Sequence, residues 1–139
     1  MVLSGARALL EEQLTRSIIG SFFDVHRELG FGYREFIYAL ALERALVAKG
    51  HRVDREVGVM VYFRGRPLTR QNIDIIVGQK VIVENKAGPR LSPDASTQLS
   101  SYLNSTDLEV GLLLHFGHTA KFHRSICENR FKQRGDRVL

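Results

Sequence analysis

The chain has 139 residues, 44% hydrophobic and 25% charged, which is the composition of one globular domain with a sizeable core. Twenty Lys and Arg against fifteen Asp and Glu leave a net charge of +5, and the pI near 9.7 is compatible with a polyanionic partner. Cys127 is the only cysteine and no apolar stretch approaches the ~18 residues of a membrane helix, so the sequence argues against an internal disulfide and a membrane span, and favours the cytoplasm.

The first two predicted elements are helices. Apolar residues recur at spacings of three and four over residues 5–29, which predicts an amphipathic helix. A second helix is predicted over residues 33–49, because that stretch is dense in Ala and Leu and ends at Gly50. Glu35 lies near the start of the second helix, where a glutamate ordinarily interacts with the helix dipole.

Three consecutive strands follow. Period-two alternation predicts a strand over residues 57–63, extending back to about position 52, and residues 64–67 make the turn that ends it. Two runs rich in β-branched residues, 72–77 and 81–87, then form a hairpin around the loop 78–80. Because the connections are short, the three strands are expected to be antiparallel.

Charged residues interrupt this apolar hairpin. Side chains alternate along a strand, so Glu84 and Lys86 share a face, and a three-residue loop sets Asp74 opposite Glu84 on that face. Two carboxylates and an ammonium then converge, which suits a divalent cation with oxygen ligands and a lysine that orients water. The alternative is a solvated face or an ordinary ion pair.

The remaining elements complete a mixed sheet. A helix is predicted over residues 95–105, with Gln98 and Tyr102 on one side of it, four positions apart. The buried strand predicted over residues 109–116 is reached through this helix, so it should pair in parallel with the third strand. Residues 120–126 are predicted to be an edge strand, with a helix as the alternative.

The C-terminal segment is basic, and the tail is placed at about residues 127–139. From position 121 onward six Lys or Arg stand against two acids, which fits either a frayed, solvated end or an arm that contacts phosphates. The histidines His115, His118 and His123 offer a second metal site as an alternative, although surface histidines are the ordinary interpretation.

The motifs together resemble a known family. Gly32, Glu35 and Tyr38 fit the name motif of the GxxExxY family, a branch of the PD-(D/E)XK nuclease superfamily. Asp74 stands where the first aspartate of that superfamily is expected, and Glu84-Asn85-Lys86 fits its Glu-x-Lys element. Gln98 and Tyr102 are similar to the Gln-xxx-Tyr element of RecB-like nucleases, and the resemblance spans residues 18–126.

The resemblance implies an α/β fold with a restriction-endonuclease-like core, a mixed β-sheet flanked by helices, in a single domain over residues 1–139. It implies a nuclease that uses Mg²⁺ or Mn²⁺ to hydrolyse phosphodiester bonds in nucleic acid, with DNA as the expected substrate and a homodimer as an open alternative. The implied metal ligands are Asp74, Glu84, the Asn85 carbonyl and Glu35. Catalysis is assigned to Glu35, Asp74, Glu84 and Lys86, while Gln98 and Tyr102 would support the site or contact substrate.

One departure from the family pattern leaves a second function open. Asn72 stands where relatives, as aligned here, tend to carry arginine, so one positive charge near the site is missing. The alternative is therefore a non-catalytic module that keeps the nuclease fold and binds nucleic acid or protein.

Overall fold

A computed structural model describes residues 11–132. They form one five-stranded sheet with helices on both faces. The elements in chain order are α1 (Glu12–Leu29), α2 (Glu35–Ala48), β1 (Val53–Phe63), β2 (Arg66–Val77), β3 (Val81–Ala87), α3 (Asp94–Asn104), β4 (Val110–Phe116), β5 (Ala120–Ile126) and a 3₁₀ turn (Asn129–Phe131). None of the helices within this described part is long and apolar enough to cross a membrane.

The strands lie in the order β1-β2-β3-β4-β5, and all neighbours are antiparallel except β3 and β4. The parallel pair is joined through α3, as the sequence predicted, because the chain must cross the sheet before it can run in the same direction again. The predicted edge strand over residues 120–126 is also confirmed, since β5 pairs antiparallel with β4 at the rim of the sheet.

Two apolar layers hold the helices against the sheet. On one face α1 and α2 pack on the odd-numbered residues of β3 and of β2 from Ile75 onward, together with β4 side chains such as Leu112. On the other face α3 contributes Leu99 and Leu103, which pack on Ile82 and Leu113. Alternation therefore assigns the two sides of the central strands to different helices. The fold is α/β, with a mixed sheet flanked by helices, and is consistent with a restriction-endonuclease-like core.

The turn predicted over residues 64–67 is shorter than expected, and β2 is correspondingly longer. Only Arg64 and Gly65 form the loop, and both have positive φ angles (50° and 75°), as a type I′ hairpin turn requires. Leu68 has no partner between the pairs Val61↔Thr69 and Tyr62↔Pro67, so a bulge follows the turn. The alternation of residue types along the strands did not predict this longer β2, because the bulge at Leu68 shifts the pairing by one residue.

The ends differ from the sequence prediction. The first helix begins at Glu12, since Glu11 has a left-handed conformation with φ 60°, and residues 5–10 lie outside the described residues. In the basic tail, Lys132 is buried and its Nζ donates hydrogen bonds to the carbonyls of Thr106 and Leu108, 2.9 and 2.7 Å away. This part of the tail is therefore fixed rather than frayed, and residues 133–139 lie outside the described part.

Candidate functional site

The centre of the sheet opens where β2 leaves β3. These strands pair only at Ile75↔Val83, Ile76↔Ile82 and Val77↔Val81, around the loop 78–80. The next step in this register sets Asp74 against Glu84, as the three-residue loop predicted. Both carboxyl groups therefore lie at the fork between the diverging strands.

A local irregularity in β1 lies beside the same fork. Glu56 has φ 53°, a left-handed conformation that is uncommon for residues other than glycine. It falls between the pairs Arg55↔Ile75 and Val57↔Ile73, across the hairpin from Asp74. Ile73 packs under α3 whereas Ile75 packs under α1 and α2, so Asp74 lies where the strand exchanges one apolar layer for the other.

Glu84 is the most deeply buried of the predicted carboxylate ligands. Its relative exposure is 1%, and its Oε2 lies 3.6 Å from Nζ of Lys86, whose side chain is 29% exposed. No hydrogen-bond partner among residues 11–132 reaches Oε1 of Glu84. A buried carboxylate oxygen without a donor is unfavourable, and it marks a position where a cation or a proton would be stabilising.

The electrostatics of the pair follow from this burial. Burial, followed by the negative charge of Asp74, raises the pKa of Glu84 from 4.5 to about 8. The Lys86 ammonium lowers the same pKa, but by less. A proton on Glu84 would supply a hydrogen bond to Asp74, so in the absence of a cation the neutral form of Glu84 is favoured.

Glu35 approaches this cluster from the first turn of α2. Burial raises its pKa, the Lys86 charge lowers it, and the Asp74 charge raises it. A backbone hydrogen bond from Ala87 also lowers it. The helix dipole is therefore only part of its environment, and Glu35 belongs to the same electrostatic group as the carboxylates of the sheet.

The other members of the Gly32, Glu35 and Tyr38 motif act on the approach to α2. Gly32 has φ 118°, which favours glycine. Tyr38 is fully buried, its hydroxyl donates to the Gly30 carbonyl, and it accepts a hydrogen bond from the Tyr33 amide at 3.3 Å. These contacts fix the connection between α1 and α2, and thereby the position of Glu35.

The predicted pair on α3 closes the site from the opposite side. Gln98 Nε2 donates to Tyr102 Oη at 2.9 Å, so the two side chains meet as their spacing predicted. Tyr102 is 4% exposed, and its pKa is raised by burial and then by the charges of Glu84 and Asp74. Its hydroxyl group is therefore close enough to sense both carboxylates.

A cleft of about 130 Å³ extends from the fork toward α2. It is lined by Glu35, Phe36, Ala39, Arg55, Glu56, Asp74 and Asn85. The Asn85 side chain is 1% exposed, and neither of its amide atoms has a hydrogen-bond partner within the described chain. Asn85 thus lines the cleft with an unpartnered amide, although the sequence assigned a role only to the Asn85 carbonyl.

Arg55 and Glu56 also line this cleft, and no sequence motif predicted them. The signal that could have found them is the Arg64-Gly65 turn, because a two-residue loop followed by a bulge fixes which β1 residues lie across from Asp74. Arg55 is of particular interest because its guanidinium lies 3.5 Å from Glu43 while still lining the cleft. Arg55 therefore supplies a positive charge near the site, whereas Asn72, at the position expected for arginine, supplies none.

Other depressions and clusters carry less chemistry. A larger, open depression of about 570 Å³ lies between the start of α1 and the β2–β3 loop, and none of the predicted site residues lines it. The histidines do not form the alternative metal site, since His115 bonds to the Gly88 carbonyl at 2.9 Å and His118 stacks on Phe31.

Comparison with protein families decides the assignment. Residues 12–126 match the family model described as the PD-(D/E)XK nuclease superfamily. The chain belongs to this superfamily. The match does not distinguish the GxxExxY branch, which stays a prediction. Comparisons with curated proteins and with solved structures gave no match.

Membership of the PD-(D/E)XK superfamily suggests nuclease activity and implies a nucleic-acid substrate. Its nucleases generally use divalent metals. Within residues 11–132, no group of three or more His, Cys, Asp or Glu side chains is arranged so that it could hold a metal ion by itself. The donors nevertheless fit an ion such as Mg²⁺, which commonly takes one or two carboxylates and completes its shell with water and phosphate oxygens. The unpartnered Oε1 of Glu84 is an available donor for such an ion.

Proposed function

We propose that this protein is a nuclease that hydrolyses phosphodiester bonds in DNA with Mg²⁺ or Mn²⁺. The observation that supports the proposal best is the convergence of Asp74, Glu84 and Lys86 where β2 and β3 diverge. If the two carboxylates and the ammonium formed only a structural ion pair, the buried Oε1 of Glu84 would be expected to have a hydrogen-bond partner, and it has none within residues 11–132. A cation-binding role accounts for that oxygen.

In this mechanism Asp74 and Glu84 would hold the cation, with the Asn85 carbonyl and Glu35 as further donors, directly or through water. When bound, such a cation would supply Lewis acidity for the activation of water and would offset the charge of the phosphate. Lys86 is partly exposed and lies 3.6 Å from Glu84, so its ammonium can orient the attacking water and compensate charge developing on the phosphate. Gln98 and Tyr102 fix the α3 side of the site through their hydrogen bond.

Two features favour a nucleic-acid substrate handled through its backbone. The net charge of +5 attracts a polyanion, and Arg55, whose guanidinium lies 3.5 Å from Glu43, is one of the residues that line the cleft with Asp74. DNA rather than RNA is the proposed substrate.

The test is cleavage of supercoiled plasmid, single-stranded DNA and RNA with Mg²⁺, with Mn²⁺ and with EDTA. Wild type should cut in a metal-dependent way, and Asp74→Ala and Lys86→Ala should each lose at least about 10²-fold in rate, as expected when a group that stabilises the transition state is removed. Lys80→Ala and Asp24→Ala are the matched controls, since both residues are exposed or partly exposed and lie outside the cleft. Equal activity in all variants would refute the proposed site.

The second candidate, a module that binds without cutting, is motivated by Asn72 at the position of the arginine. It predicts binding of nucleic acid or protein with no cleavage under any metal. Arg55 weighs against this candidate, because it returns a positive charge to the cleft from the neighbouring strand.

A further inference from the structure

The long β1–β2 hairpin continues past the fork. β2 pairs with β3 only over Ile75–Val77, whereas its pairing with β1 continues from Ile73 to the turn at Arg64 and Gly65. Residues 57–72, named here the arginine arm, therefore form a two-stranded ribbon whose base lies beside Asp74. At ~3.4 Å per residue, the ribbon reaches about 20 Å from the cleft.

The charged side chains of the arginine arm are all positive. It contains Arg64, Arg66 and Arg70 and no acidic residue, and all three arginines are exposed. The guanidinium carbon of Arg64 lies 4.9 Å from the Phe63 ring centre, which supports the side chain at the turn. Net positive charge concentrated on one projecting element is complementary to a polyanion.

The two faces of the arm have different surroundings. Gln71 accepts a hydrogen bond from Ser101 of α3 at 3.1 Å, and Ile73 packs under the same helix. By alternation, Arg70 and Asn72 lie on the opposite face, which is the side of the cleft lined by α2 residues and Asp74. The face that carries Arg70 thus leads into the cleft.

Gly58 has no side chain that would interrupt the face of the arm that carries Arg70. It pairs with Asn72, and a Cβ atom at Gly58 would lie 3.4 Å from the guanidinium carbon of Arg70. The Arg70 side chain therefore extends across β1 at the glycine, with its charge directed along the ribbon surface. A nucleic-acid backbone that leaves the cleft could follow this surface past Arg70 toward the turn at Arg64, whereas Arg66, which pairs with Phe63, lies on the opposite face by the same alternation.

We infer that the arginine arm binds the phosphate backbone of duplex DNA about six base pairs to one side of the scissile bond. The estimate follows from a reach of about 20 Å and ~3.4 Å per base pair. A two-stranded ribbon also has the width that the major groove admits. This inference rests on the proposed function, since it names duplex DNA as the substrate of that site.

The test measures binding of full-length protein to a fluorescent 30-base-pair duplex in EDTA, by anisotropy between 50 and 400 mM salt. The arm variant carries Arg64→Ala, Arg66→Ala and Arg70→Ala. A second variant changes the same positions to Lys and retains the charge. The control removes equal charge from exposed helical positions through Arg16→Ala, Arg27→Ala and Arg44→Ala.

Loss of three phosphate contacts should reduce the slope of log K against log salt by about 2.7 in the arm variant. Its affinity should be roughly 10²- to 10³-fold weaker at 0.1 M salt and converge on wild type near 1 M. The Lys variant should retain the slope and the helical control should change it by less than about 0.5. Equal slopes for the arm variant and the helical control would overturn the inference.

Cleavage separates this inference from the proposed function. If wild type cuts metal-dependently while the arm variant binds like wild type, the nuclease stands and the arm inference is wrong. If no variant cuts but the arm variant alone loses its salt slope, the arm binds DNA and the catalytic proposal fails. If the arm variant changes the sedimentation coefficient and leaves DNA binding intact, the exposed tip joins copies of the chain, which also overturns the inference.

Discussion

Replacing Glu84 with glutamine tests the electrostatics at the fork between β2 and β3 in an experiment that needs no DNA. The variant is nearly isosteric and replaces an ionisable carboxyl with a neutral amide, while Lys86 remains partly exposed to water. Because the pKa of Glu84 is raised from 4.5 to about 8, the folded protein keeps a proton that the unfolded chain has released. The wild-type carboxyl therefore makes folding less favourable as pH rises.

The sign and size follow from proton linkage. Below about pH 4.5 the carboxyl is protonated in both states and costs nothing, and between pH 4.5 and 8 only the unfolded state ionises fully. At pH 7 the difference is on the order of 3 kcal/mol, at 1.36 kcal/mol per pH unit. For a chain of this length that corresponds to roughly 10 °C in Tm.

The assay is urea unfolding of wild type and Glu84→Gln in EDTA at pH 5, 6, 7 and 8. We expect the stability difference in favour of the glutamine variant to grow with pH by about 3 kcal/mol. The exposed Glu28→Gln change is the matched control and should produce no such trend. Adding Mg²⁺ at about a hundred times its Kd should stabilise wild type by about 2.7 kcal/mol and have a smaller effect on the Glu84 variant. A difference that is flat or falls with pH would refute the reasoning.

Three further changes test the surroundings of the site. Tyr102→Phe removes the acceptor for Gln98 Nε2 and should lower the free energy of unfolding by about 1 kcal/mol in a chemical unfolding experiment. If the hydroxyl supports the site, the cleavage rate should fall by more than this loss of stability explains. Gly111→Ala would set a Cβ 2.7 Å from Leu99 Cδ1, so we expect about 1–3 kcal/mol of destabilisation; an unchanged Tm would contradict that packing. Lys132→Met should lower stability by about 1–3 kcal/mol, because the partly buried carbonyls of Thr106 and Leu108 lose their charged donor, whereas a solvated tail would show no change.

The sequence by itself determined most of the framework, because alternation and helical spacing report which side of an element is buried. The loop 78–80 fixed the β2–β3 register, and this register set Asp74 beside Glu84 and placed Lys86 with them. The spacing of four on a helix likewise determined that Gln98 meets Tyr102.

Only the tertiary structure decided what surrounds those residues. The bulge at Leu68 shifts the register of β1 with β2, and Glu56 adopts a left-handed conformation without shifting it; no periodic pattern in the sequence encodes either feature. Only the folded structure shows that Arg55 lines the cleft and that the β1–β2 ribbon continues beyond the pairs between β2 and β3. Burial of Glu84 is likewise a property of the packed sheet and α3 together, since a strand position becomes dry only when a helix covers it.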